Sequence, residues 1–201
     1  MKNLTKAILE AVENSPGGIT TLDVLESLQL CGRSTLKTVL SRLNRSGRII
    51  RLRRGVYSSN PIRDAFAAAQ ATFDGYIGFS SALYVHRLIT EVPFTITVVT
   101  AYESASKIFG SYEFRAVALR EKAIGFENIG SLVVSTRAKT LFDCIYLERY
   151  SVGEEKLVEA YRTARLSTKE WNEFSSYVKR FATQRTISKF GEIKRKVMRK
   201  G

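Results

Sequence analysis

Residues 34–47 read STLKTVLSRLNRSG, and residues 48–59 continue directly as RIIRLRRGVYSS. The first segment predicts a helix, with Ser34 as its N-cap and Gly47 at its end, because apolar residues recur at helical spacing at Leu36, Val39, Leu40 and Leu43. The second segment is rich in β-branched residues around a turn at Arg53-Arg54-Gly55, which predicts a two-stranded hairpin. A helix that leads straight into a hairpin decides the fold of this part of the chain.

Two further helices are predicted before this segment. Residues 4–12 carry apolar side chains at helical spacing, and the pattern stops before a Pro-Gly-Gly sequence. A second, short helix follows, capped by Thr20 or Thr21, and Cys31-Gly32 separates it from the third. Three helices followed by a hairpin is the order of a winged helix-turn-helix, so residues 1–60 are predicted to form a DNA-binding domain.

The basic residues of the chain are concentrated at its two ends. The net charge is +13; residues 1–60 carry 10 basic and 4 acidic residues, residues 61–150 carry 9 of each, and residues 151–201 carry 13 and 6. Localised positive charge of this kind indicates binding to a polyanion. Nucleic acid is the leading partner, and an anionic membrane surface is the alternative.

The charge is densest in the predicted third helix and hairpin, where eight basic residues and no acid lie between Arg33 and Arg54. A recognition helix enters the major groove with its N-terminal part, and a wing can reach a phosphate or the minor groove. The candidate DNA-binding residues are therefore Arg33, Ser34, Thr35, Lys37, Thr38, Arg42, Arg45, Arg48, Arg51, Arg53 and Arg54. The alternative interpretation is a solvated basic face on a small helical domain.

The remainder of the chain is predicted to form an α+β effector domain over residues 61–150 and a basic helical region over residues 151–201, with Asn60-Pro61 as the boundary. Helical patterns in the middle domain cover residues 62–73, 79–88 and 136–150. Three or four strands are predicted, at residues 93–100, 111–119, 130–136 and, more weakly, 122–129. The fold class predicted for the whole chain is α+β.

The C-terminal region is predicted to be helical throughout. Ser167 and Glu170 fit a capping box, and the spacing of Phe174, Tyr177 and Phe181 is typical first of a core and second of a surface for a partner helix. The final basic stretch, residues 185–200, could extend a DNA footprint or dock an acidic partner surface. Because its charges cover several sides of a helix, we expect it to add non-specific DNA affinity.

Signals for catalysis, metal binding and membrane insertion are weak. The sequence has one histidine and two distant cysteines, so neither a disulfide framework nor a Cys-x-x-Cys metal site is expected. No apolar run approaches the ~20 residues of a bilayer span. We expect His86 to be structural and Asp143 to be a buried carboxylate that accepts hydrogen bonds. No catalytic residue, metal or cofactor is therefore expected, and the protein is expected in the cytoplasm.

Five segments carry a family pattern: RLRRGVYSSNP, YIGFSSALYVHRL, PFTITVVT, FRAVAL and STRAKTLFDCIYL, between residues 51 and 147. They resemble the AbiEi-like antitoxins of type IV toxin–antitoxin (abortive infection) systems. The resemblance implies a repressor of its own operon, paired with a nucleotidyltransferase-type toxin encoded beside it. It places Arg53 and Arg54 in the basic wing and residues 33–45 in the recognition region. One departure is Arg87, which follows His86 where such proteins often have glycine.

We therefore expect a sequence-specific DNA-binding transcriptional regulator rather than an enzyme. Its expected partners are double-stranded DNA at its own promoter and the toxin, with a homodimer on the DNA and no membrane. Two alternatives stay open. One is a free-standing transcription factor without a toxin, and the other is a nucleic-acid-processing enzyme that uses the winged helix for targeting.

Overall fold

The N-terminal helices lie where the apolar periodicity predicts them. In the computed structural model, which describes residues 4–199, they are α1 (Leu4–Glu13), α2 (Leu22–Ser27) and α3 (Arg33–Arg45), followed later by α4 (Ala65–Thr72). The strands that accompany them are β1 (Ile19–Thr21), β2 (Ile49–Arg53) and β3 (Val56–Ser59). The three predicted helices and the hairpin are confirmed, and β1 is an additional strand.

These strands form an antiparallel sheet in the order β1-β3-β2. The sequence pattern did not reveal β1 because its three residues are too few to show an alternation. The apolar faces of α1, α2 and α3 pack against this sheet. The core that they share contains Ile8, Val12, Leu25, Leu36, Leu40, Leu43 and Ile49.

The ends of the N-terminal helices follow the predicted capping chemistry in part. Thr21 caps α2 by accepting a hydrogen bond from the Val24 amide. The expectation that Ser34 caps α3 is wrong, because the helix already begins at Arg33 with Gly32 as its N-cap. Gly47 lies just beyond the other end with φ +69°, the left-handed conformation that glycine favours.

A second compact unit follows the first, which ends at Asp74. Its described helices are α5 (Phe79–Val85), α6 (Arg137–Tyr146), α7 (Glu154–Ala164), α8 (Thr168–Phe181) and α9 (Gln184–Arg199). Its described strands are β4 (Tyr76–Ile77), β5 (Thr95–Thr100), β6 (Ala105–Phe109), β7 (Tyr112–Ala118), β8 (Phe126–Ile129) and β9 (Leu132–Ser135). The α+β class is thus confirmed.

The strands of the second unit form one mixed sheet in the order β6-β7-β5-β4-β9-β8. The pairs β5–β7 and β4–β9 are parallel, and the others are antiparallel. The sheet has six strands rather than the predicted three or four. The two missed strands are β4, which has only two residues, and β6, an edge strand without buried residues.

Helix α6 is the centre of the second core, since all of its residues from Ala138 to Ile145 are buried. The ring of Phe142 lies against those of Phe174 and Tyr177 on α8, so the predicted core role is confirmed for these two residues, while Phe181 is partly buried against the same core. The capping box formed by Ser167 and Glu170 is also present at the start of α8.

The division between the units falls at Asp74–Gly75 rather than at Asn60-Pro61. Helix α4 contacts all three strands of the first unit, which explains why it belongs there. Helices α7, α8 and α9 belong to the second unit because α8 packs on α6 and α9 packs on α7. Lys200, the last residue of the basic stretch, lies outside the described residues.

Arg87 occupies a helix end that glycine usually takes. After α5, the φ of Arg87 is +59°. The amides of Arg87 and Leu88 donate hydrogen bonds to the carbonyl oxygens of Tyr84 and Leu83 at 2.9 and 2.8 Å, which is the Schellman pattern. The turn therefore forms even though arginine stands in a conformation that a Cβ disfavours.

Candidate nucleic-acid interface

The candidate DNA-binding residues all have exposed side chains on the first unit. Helix α3 buries a stripe of four apolar residues against the core. The row opposite this stripe, at spacings of four, three and four residues, consists of Ser34, Thr38, Ser41 and Arg45. This row presents hydroxyl groups and one guanidinium to solvent, which are groups that can hydrogen-bond to base edges and phosphates.

A cleft of about 670 Å³ lies between α3 and the β2–β3 hairpin. From α3 it is lined by Arg33, Lys37, Ser41 and Asn44, from α2 by Asp23 among others, and from the hairpin by Arg51, Arg53 and Arg54. The cations of the helix and those of the hairpin therefore border one space. A single strand of polyanion backbone could contact both elements at once.

A direct hydrogen bond connects the two sides of this cleft. The backbone amide of Arg51 on β2 donates to Oδ1 of Asn44 on α3 at 2.8 Å. Ile49 and Leu52 on the same strand are buried in the first unit, while Arg51 and Arg53 are exposed. The register of β2 against β3 shifts between Arg51 and Arg53, so the strand does not alternate strictly. Its buried residues anchor the hairpin, and its arginines remain exposed.

Arg33 differs from the other candidates because its charge is already paired. Its guanidinium donates to Asp23 at 3.1 Å and also to Glu26. The hydrogen bond with Asp23 is the largest of the effects that raise the pKa of Arg33. The structure therefore ties Arg33 to α2, and this pairing competes with any contact to a phosphate.

The remaining candidate cations are not engaged in this way. Within residues 4–199, no ion pair involves Lys37, Arg42, Arg45, Arg48, Arg51, Arg53 or Arg54. Seven exposed positive charges on a helix and hairpin, without internal counter-charges, create a strongly positive local potential.

Two residues of the cleft escaped the sequence analysis. Ser41 lies in the exposed row of α3, and Asn44 links the helix to the hairpin. Extending the helical spacing from Ser34 through Thr38 to the position seven residues on would have found Ser41. No pattern in the sequence identifies the contact of Asn44, because it joins two elements across the turn that ends α3.

The two titratable residues singled out in the second unit have structural partners. Nε2–H of His86 donates to the carbonyl oxygen of Ser135 at 2.6 Å, and burial lowers the pKa of His86. Asp143 is fully buried and accepts hydrogen bonds from the ammonium of Lys139. The expectation of a buried, hydrogen-bonded carboxylate is confirmed. Residues 4–199 contain no group of three His, Cys, Asp or Glu side chains placed to hold a metal ion.

Comparisons with known proteins add no assignment. No protein-family model matches the chain, and a search of curated proteins finds no match either. In the part of the chain that the structure describes, no helix has both the length and the apolar character needed to cross a bilayer. The candidate interface therefore rests on the geometry and charge of α3 and the hairpin.

Proposed function

We propose that the first unit is a winged helix-turn-helix that binds double-stranded DNA, with α3 as the recognition helix and the β2–β3 hairpin as the wing. The observation that carries the proposal is the shared cleft, which Lys37 borders from the helix and Arg51, Arg53 and Arg54 border from the hairpin. The order of the elements and the sheet order β1-β3-β2 support it. A helix of this diameter fits the major groove, which is about 12 Å wide.

The side chains of α3 and of the hairpin suit different roles in DNA binding. The exposed row of α3 is rich in hydroxyl groups, which can hydrogen-bond to base edges and so select a sequence. The hairpin presents mainly guanidinium groups, which bind phosphates or enter a narrow minor groove. Sequence selection is therefore assigned to α3, and most of the sequence-independent affinity to the hairpin.

The biological role that we propose is a transcriptional regulator, namely the autorepressing antitoxin of a type IV pair. The similarity to AbiEi-like antitoxins supports this role, with a nucleotidyltransferase-type toxin as the partner and a homodimer as the DNA-bound form. The second unit would then be the effector. Co-expression with the neighbouring gene tests the pairing. Relief of growth inhibition supports an antitoxin, and the absence of any effect favours a free-standing transcription factor.

DNA binding is tested by footprinting on the protein's own promoter region, together with binding to a random duplex of equal length. We expect protection of a defined site and a clear preference for it. Lys37→Glu should abolish the footprint, because it replaces an unpaired cation of the cleft with an anion. Lys6→Glu is the matched control, since Lys6 is also exposed but lies on α1 and does not line the cleft.

The same samples test the enzymatic alternative. A nucleic-acid-processing enzyme would cleave or modify the promoter duplex or an RNA when Mg²⁺ or Mn²⁺ is added. Metal-dependent turnover that persists in Lys37→Glu would contradict the proposal of a regulator. Equal protection of promoter and random DNA would contradict sequence-specific recognition while leaving DNA binding in place.

A further inference from the structure

Helices α8 and α9 leave an apolar groove between them on the second unit, with a volume of about 640 Å³. Trp171, Phe174 and Val178 line it from α8, and Phe190, Ile193 and Val197 line it from α9. Each set has the spacing i, i+3, i+7, so each helix turns one continuous apolar face towards the groove. The groove is therefore formed by two amphipathic faces that do not fully cover one another.

The floor of the groove is part of the core, whereas its edge is open. Phe174 and Ile193 are 2% and 0% exposed, and the rings of Phe174 and Phe190 lie 5.1 Å apart. Trp171 and Met198 at the edge are 40% and 69% exposed. Large apolar side chains that remain open around a packed floor mark an interaction site rather than an incomplete core.

The edge of the groove also carries positive charge. Lys179 and Lys194 line the groove, and no acidic side chain lines it among the described residues. Neither lysine forms an ion pair with a residue between 4 and 199. By contrast, Lys189 and Lys196, which lie on α9 with Lys194, form ion pairs with Glu154. The two lysines beside the apolar surface are thus free of ion pairs within the described residues.

We propose that this groove binds an acidic amphipathic helix of a partner protein. The lining residues span 171–179 on α8 and 190–198 on α9, about 12 Å along each helix axis. That length accommodates about two turns of a third helix, whose apolar residues at i, i+3 and i+7 enter the groove. Carboxylates beside its apolar stripe then lie opposite Lys179 and Lys194.

The charge of the chain argues against two other occupants. A second copy would bring residues 151–201, with 13 basic and 6 acidic residues, against the same basic edge. Duplex DNA supplies negative charge, but its phosphate backbone would leave the apolar floor and Trp171 uncovered. The proposal concerns the second unit and does not depend on DNA binding by the first.

The fluorescence of Trp171 reports on binding, because Trp171 is the single tryptophan of the sequence and lies at the edge of the groove. The probes are three synthetic helical peptides without tryptophan, each of about 15 residues. The first has leucine at i, i+3, i+4 and i+7 with flanking glutamates. The second carries lysine in place of each glutamate, and the third keeps the composition of the first with the leucines scrambled. Titration into the full chain is followed by the emission of Trp171.

We expect the acidic peptide to shift this emission to the blue with saturation, and the other two to bind at least tenfold more weakly. The double variant Lys179→Glu/Lys194→Glu should invert the preference between the acidic and the basic peptide. Lys169→Glu/Arg195→Glu is the matched control, because both residues are exposed on the same helices and neither lines the groove. Circular dichroism confirms that each variant is folded.

The outcomes separate the possible occupants. Blue-shifted binding of the acidic peptide, inverted by Lys179→Glu/Lys194→Glu and unchanged in the control variant, supports the proposal. Equal binding of acidic and basic peptides, or binding of none, overturns it. A shift of the Trp171 emission with a random DNA duplex that the double variant abolishes also overturns it, and assigns the surface to nucleic acid. Self-association that is abolished by Met198→Asp assigns it to a second copy and overturns it as well.

Discussion

In the second unit, the ammonium of Lys139 lies 2.6 and 2.5 Å from the two carboxylate oxygens of Asp143, one helical turn further along α6. Their side chains are only 0% and 1% exposed. The ring of Tyr177 lies 5.8 Å from the same ammonium. Burial lowers the pKa of Lys139 and raises that of Asp143 to about 6, and the opposite charge of each partner counteracts the shift of the other.

Removing one partner of this pair should cost much more stability than removing both. Asp143→Asn leaves the Lys139 charge buried and unpaired, so we expect a loss of about 3–5 kcal/mol in the free energy of unfolding. Lys139→Met/Asp143→Leu should lose markedly less, because no charge remains in the core. Urea unfolding of the three proteins measures the difference. A double variant that loses as much stability as Asp143→Asn would contradict the coupling.

The hairpin arginines are expected to contribute affinity without selectivity. Arg53→Ala/Arg54→Ala should weaken binding to the promoter and to random DNA by the same factor. It should lower the slope of log K against log salt by about 0.9 for each phosphate that the variant no longer neutralises. Fluorescence anisotropy at several salt concentrations measures both quantities, with Lys6→Ala as the control. An unchanged slope in a folded variant would show that the hairpin does not touch the backbone.

Lys37 and Arg33 provide a comparison within one helix. Lys37→Ala should weaken promoter binding by roughly 1–3 kcal/mol more than random binding, if the lysine reaches a base edge. Arg33→Ala should change both affinities little, because Arg33 is paired with Asp23 and Glu26. Parallel titrations of both variants give the result. A larger effect from Arg33 than from Lys37 would mean that these ion pairs open on DNA.

His86 should make the second unit less stable in mild acid. Burial holds the pKa of His86 in the folded protein below its ordinary value of 6.5. The unfolded chain therefore takes up a proton first, and the free energy of unfolding falls as the pH drops below about 6.5, by up to about 1.4 kcal/mol per pH unit. His86→Gln retains a donor for Ser135 but cannot titrate. Subtracting its urea-derived stability profile from that of the wild type isolates this slope, and parallel profiles would rule it out.

Arg87→Gly is expected to stabilise the protein. At φ +59° the Cβ of arginine is strained by about 1–2 kcal/mol, and glycine removes this strain at a smaller cost in the entropy of the unfolded chain. The net gain should be about 0.5–1 kcal/mol in thermal or urea unfolding. Arg87→Ala keeps the Cβ while removing the guanidinium, so it should show no gain. Stabilisation by alanine as well would point to the charge instead of the backbone.

The parts of the fold that the sequence predicted are those with a long or chemically specific pattern. Helix α3, strands β5 and β7 and the capping box of α8 each follow from periodicity or a spaced pair of residues. The boundary between the units was missed because α4 is built mainly of alanine and shows no clear apolar face. Short strands such as β1 and β4 gain their hydrogen bonds from distant partners, which local sequence does not reveal.

The candidate interface shows the same limit at the level of single residues. The basic residues between Arg33 and Arg54 are exposed, as unpaired Lys and Arg side chains usually are. The pairing of Arg33 could not be predicted from the sequence, because Asp23 and Glu26 lie ten and seven residues earlier and on another helix. A count of acids within the basic stretch therefore overestimated the charge available to a ligand.

The hydrogen bond between the Arg51 amide and the Asn44 side chain has a consequence for the thermodynamics of recognition. Fixing one backbone residue of a freely moving loop costs about 1–2 kcal/mol in conformational entropy. The β2–β3 hairpin is already held by this bond and by buried Ile49 and Leu52, so that entropy is lost when the chain folds and not when a ligand arrives. The helix and the hairpin are thus preorganised. We expect them to bind as one rigid unit, without losing affinity to the entropy of ordering a loop on association.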